Sequence, residues 1–104
     1  MKKIFLFALM FILSNGVAHS QIANFGVSDC GQWTKQPNDA RKAWLLGYMS
    51  GLNAALSVNH NDTLNKVNSA EQMFSFVDNY CRSNPLKTVG HAGNALFAEL
   101  LKSK

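Results

Sequence analysis

Two cysteines constrain this chain more than any other feature: Cys30 and Cys81 are the only ones in 104 residues. Neither has another partner within the chain, and no CxxC or Cys/His spacing accompanies them that would suit a metal. Two buried free thiols or a pair of metal ligands are therefore the weaker readings, and one disulfide is the economical one. It would close a loop of about 50 residues, for which the chain-entropy argument gives a stabilisation on the order of 4 kcal/mol. In a small domain that is a large share of the whole. A disulfide also requires an oxidising compartment, so the next question is whether the chain is exported.

The N-terminus has the layout of an export signal. Lys2 and Lys3 precede the unbroken apolar run of residues 4–13, and Ser14, Asn15, Gly16, Val17, Ala18, His19 and Ser20 follow it. Ten apolar residues are too few for a membrane helix, which needs about 20. Residues 1–20 are thus expected to be a cleavable signal peptide, with Ala18 and Ser20 suiting a cut before Gln21. Gly16 and Ala18 would suit one before His19. No cysteine lies close enough to the apolar run to be lipidated, so residues 21–104 are expected as one domain without a stable membrane anchor, periplasmic or secreted.

The formal net charge of +4 loses two units when Lys2 and Lys3 leave with the signal. The remaining basic residues are scattered from Lys35 to Lys104 and form no patch interleaved with aromatics, so nucleic acid is not an expected partner.

Hydrophobic periodicity gives three main helices, an all-α small single-disulfide bundle with a short N-terminal turn or helix. The first runs from Asp39 to Leu56. Ala43, Gly47, Gly51 and Ala55 recur every four residues as a small-residue stripe, and Leu45, Met49, Leu52 and Leu56 form a bulkier one. Two interior glycines cost about 1 kcal/mol each relative to alanine. The expectation is therefore a central helix whose stripe receives another backbone at close range, flanked by Trp44 and Tyr48. A membrane helix pairing through Gly47 and Gly51 is excluded by its length and by Arg41, Lys42, Ser50 and Asn53.

The second helix is announced by Ser69 and Gln72 as a capping box and carries Met73, Phe76, Val77, Tyr80 and Cys81 on one face. Pro85 suits the first position of a third helix, with Leu86, Val89, Gly93, Leu96, Phe97 and Leu100 sharing a face and His91 roughly opposite. Upstream, Ser28 suits a cap for a short segment holding Cys30 and Trp33, pinned by the disulfide to the end of the second helix.

The search for chemistry is mostly negative. His60 and His91 lie on different elements without a second ligand at metal spacing, and no GxSxG or phosphate-cradling glycine loop is present. Glu71 and Asp78 read as solubilising charges on a solvent face, with no aromatic pocket. The expectation is a protein without enzymatic activity, cofactor or metal.

One long polar connection stands out, residues 57–68, where Asn59, Asn61, Asn65 and Asn68 surround His60 and Asp62. Its length marks it as functional or as hiding a short helical turn near residues 62–66. Loops held on a packed scaffold carry binding residues, so Asn59, His60, Asn61 and Asp62 are the candidate partner contacts. The competing reading is a solvated linker, since asparagine favours turns.

Cys30 and Trp33, then Trp44, Gly47, Tyr48, Gly51 and Asn53, then Gln72, Asn79, Tyr80, Cys81, Asn84 and Pro85, then Ala92, Leu96, Glu99 and Leu100, form a spaced pattern. It resembles that of small periplasmic immunity proteins of the Rap/Tai type. The resemblance implies a helical, single-disulfide protein whose partner is an amidase effector delivered by type VI secretion, with contacts made by loops. The outline of an early cysteine, a central helix, a late cysteine and a proline before the last helix is also similar to HdeA-type acid-stress chaperones. Those are charge-rich, whereas charged residues make up 15% of this chain. A homodimer stays open under either reading.

Overall fold

The computed structural model describes residues 23–35, 39–57 and 62–103. The expected signal peptide lies outside them, as do Asn59, His60 and Asn61. Among the described residues there are four α-helices and a single 3-10 turn: α1 (Cys30–Lys35), α2 (Asp39–Leu56), the 3-10 turn (Thr63–Lys66), α3 (Ala70–Ser83) and α4 (Val89–Lys102). The fold is all-α, with three main helices after a short one, and Cys30 is bonded to Cys81. The 3-10 turn falls where the long polar connection was expected to hide one.

The disulfide sets how α1 meets α3. Both cysteines are buried, and one turn along α1 Trp33 comes to lie against Phe74, ring centroids 6.3 Å apart and tilted by 49°. Asp29 caps α1, its Oδ1 accepting from Gln32 N at 2.6 Å. The expected cap, Ser28, is instead buried, and its carbonyl accepts from Val89 N at 2.9 Å. On α3 the inward residues are Met73, Phe74, Val77 and Cys81, while Phe76 and Tyr80, expected on the same face, are half-buried at the margin of the core. Neither arm of the expected Ser69 and Gln72 box is made, and Gln72 reaches one residue past the cap instead. Gln72 Oε1 accepts from Asn68 N at 2.8 Å, and the Ser69 side chain makes no cap bond.

Pro85 does not open the last helix. Residues 84–87 form a turn, with Lys87 N donating to Asn84 O at 3.0 Å, and Leu86 is 98% exposed rather than on the buried face. The reason is tertiary. Cys30 N donates to Lys87 O and Val89 N to Ser28 O, both at 2.9 Å, so residues 28–30 run antiparallel to 87–89. That pairing requires extended backbone at Thr88, which excludes helix there. Thr88 then caps α4: its Oγ1 accepts from His91 N at 3.2 Å while His91 Nδ1 accepts from Thr88 N at 3.4 Å, a reciprocal box with histidine in the third position.

The central helix is α4, not α2. It packs on α3, on α2 and on the 3-10 turn, burying Val89, Gly90, Ala92, Gly93, Leu96 and Phe97. Only Leu45 and Met49 of α2 are fully buried; Leu52 is half-buried and Leu56 is 50% exposed. Ala43, Gly47, Gly51 and Ala55 face solvent, and a Cβ built at Gly47 or Gly51 would meet nothing within 4 Å. The close approach occurs at the other partner: a Cβ on Gly93 would lie 3.1 Å from Tyr48 Cδ1 and 3.2 Å from Met49 Sδ. Tyr48 does flank a tight helix contact, but the glycine that permits it belongs to α4.

Candidate functional site

Asn53, near the C-terminal end of α2, ties the polar connection to the bundle from both sides. Its Oδ1 accepts from Ser57 Oγ and from Leu64 N, each at 3.1 Å, and its Nδ2 donates to Asp62 Oδ1 at 2.7 Å. Residues 57 and 62 bracket the stretch 58–61, so one buried-edge amide gathers both of its flanks. Below this knot Thr63 is buried and Leu64 and Val67 pack on the core. Lys66 is bound farther along, its Nζ donating to Leu100 O at 2.7 Å and to Ser103 O at 2.6 Å, two carbonyls at the end of α4. Four candidate contact residues were expected on this connection. Asp62 is exposed but engaged by Asn53, so it belongs to the anchor; the other three lie outside the described residues. The sequence signal for the anchor was weak, an asparagine at the end of an apolar helix.

A second feature was missed altogether in the sequence. A groove of about 450 Å³, within the size range of ligand sites, runs along α3 with Trp33 of α1 and Lys42 of α2 on its walls. From α3 it takes Glu71, Phe74, Asp78 and Arg82, spaced so that they share one helix face. Trp33 Nε1 donates to Asp78 Oδ1 at 2.6 Å, and Lys42 Nζ lies 5.0 Å from the centre of the Phe74 ring, a cation–π contact. Glu71 and Asp78 thus do not sit on a plain solvent face, as expected; they border an aromatic-walled groove. The disulfide is responsible, because it carries the Trp33 ring across to a residue 45 positions away in sequence.

The opposite side of α2 holds a shallower depression. There Trp44 and Tyr48 stack at 4.9 Å with 12° between their planes, Trp44 Nε1 donates to Phe25 O at 2.7 Å and Tyr48 OH donates to Asn94 Oδ1 at 2.6 Å. All these hydrogen-bonding groups serve to hold residues 23–26 and α4 against α2.

Comparison with known proteins finds no matching family, no matching curated protein and no matching solved structure. Among the described residues no group of three His, Cys, Asp or Glu side chains is placed to hold a metal ion. None of the helices they form is long and apolar enough to cross a membrane.

Proposed function

We propose that this chain is an exported protein-binding protein, an immunity protein that neutralises a cell-wall-degrading effector of type VI secretion by presenting residues 59–61 to its active-site cleft. The observation that carries this reading is the Asn53 knot. The Leu64 amide needs an acceptor in any connection, but Asn53 also binds Ser57 and Asp62 on either side of residues 58–61, and a loop that enters a partner gains affinity when its ends are held before binding. Short polar side chains such as Asn59, His60 and Asn61 suit the polar groups of a hydrolase cleft. The disulfide is consistent with an oxidising compartment such as the periplasm.

The test searches the neighbouring genes for a peptidoglycan amidase and assays that enzyme with the purified protein. Stoichiometric inhibition of peptidoglycan hydrolysis is expected, and replacing Asn59, His60 and Asn61 together by Ser, Ala and Ser should weaken it at least about tenfold, because a few central contacts carry most of an interface's energy. Asp62 is left in place, since its bond to Asn53 belongs to the anchor. Stability should move by no more than about 0.5 kcal/mol per substitution. Failure to inhibit, joined with dye-binding apolar surface and suppression of client aggregation at about pH 2, would instead identify an acid-stress chaperone.

A further inference from the structure

We propose that the groove along α3 binds an extended dipolar peptide segment, about five residues long, with a cationic group at one end and a carboxylate at the other. This goes beyond the immunity reading and does not rest on it. Glu71, Phe74, Asp78 and Arg82 advance along one face of α3, and the 11-residue step from Glu71 to Arg82 spans about 16 Å at 1.5 Å per residue. An extended chain covers that distance in about five residues at 3.3 Å each. The two ends of the groove carry opposite charge.

The middle of the groove is already committed. Asp78 Oδ1 accepts from the Trp33 indole, and the Lys42 ammonium rests over the Phe74 ring. Glu71 and Arg82 make no hydrogen bond or ion pair among the described residues, nor does the Ser75 hydroxyl between them, which also lines the groove. An apolar occupant would strip water from both free charges without pairing either, and a ligand of one sign would satisfy one end at the expense of the other. A dipolar strand pairs both, and its backbone can bond to Ser75 and to the second oxygen of Asp78. The buried Trp33 and Phe74 rings, the first fixed by Asp78 and the second lying under Lys42, keep the wall of the groove in place between the two charged ends. Glu71 and Arg82, at the two ends, are both exposed, so a chain can enter at one and leave at the other, and the occupant assigned is an internal segment of a protein partner.

Peptide titrations followed by NMR at the Trp33 indole N–H test this, with Trp44→Phe assigning which of the two indole signals is which. Blocked Lys-Ala-Ala-Ala-Glu represents the internal segment and should bind saturably and more tightly than unblocked pentaalanine; tighter binding of pentaalanine would overturn the internal segment in favour of a free peptide. The blocked dipolar peptide should bind at least about tenfold more tightly than blocked Lys-Ala-Ala-Ala-Lys or Glu-Ala-Ala-Ala-Glu. Glu71→Lys should transfer the preference to the doubly acidic peptide and Arg82→Glu to the doubly basic one. Both positions are exposed, and Glu71→Gln and Arg82→Gln, which remove a charge without reversing it, should abolish the preference should a reversal disturb the helix. Absence of any shift at millimolar peptide, or a preference untouched by all four substitutions, would overturn the assignment.

Discussion

Among single residues the glycines are the clearest case of a signal whose meaning depends on its neighbours. Gly47 and Gly51 stand in the interior of α2 with nothing within 4 Å of where a Cβ would be, whereas at Gly93 a Cβ would come within 3.1 Å of the Tyr48 ring. Opposite outcomes are therefore expected from the same chemical change. Gly47→Ala and Gly51→Ala should each raise stability by about 0.5–1 kcal/mol, because alanine restricts the unfolded chain and the helix has room for it. Gly93→Ala should lower it by about 1–3 kcal/mol, because Tyr48 is held by its stack on Trp44 and its bond to Asn94 and has little freedom to yield. Urea unfolding of the three variants checks both signs. From the sequence, the four-residue spacing on α2 was the more conspicuous pattern, and Gly93 was only one of six residues on an apolar face.

At the level of elements, the helices were legible in their existence and α2 in its extent, and the junctions were not. The 18 residues of α2 begin and end where the pattern indicates, since apolar spacing and the turn residues around it are local properties. The start of α4 was displaced from Pro85 to Val89 by hydrogen bonds to residues 28–30, which no local pattern encodes. The same holds for the joint between α2 and the 3-10 turn. Asn53 makes three side-chain hydrogen bonds there, and Asn53→Ala leaves the Leu64 amide without its acceptor. A loss of about 1–3 kcal/mol is expected, together with faster hydrogen exchange at Leu64 N–H than at the α4 amides. If exchange at Leu64 is unchanged, the amide does not anchor the connection. If the proposed partner binding through residues 59–61 holds, it should weaken in the same variant, because Ser57 and Asp62 would no longer be held together by one side chain.

Over the whole molecule, the Cys30–Cys81 bond joins α1 to α3 and thereby builds the groove wall as well as the core. No free thiol should be found by labelling denatured, unreduced protein. Reduction should lower the unfolding midpoint by roughly 15–30 °C, since about 4 kcal/mol is at stake and each kcal/mol is worth about 4–8 °C in a domain of this size. Reduction should also disturb the Trp33 indole signal, as Trp33 reaches Asp78 only while α1 is held on α3. The amino-acid order alone was enough for the helical class, the cysteine pairing and the identity of the one long polar connection, because each follows from composition or from spacing within a few turns. Which helix lies at the centre, which glycine permits close packing, and that Glu71 and Asp78 border a groove depended on elements meeting across tens of residues. Such encounters are settled by the fit of whole faces and by hydrogen bonds between distant backbone segments, for which a local pattern carries no trace.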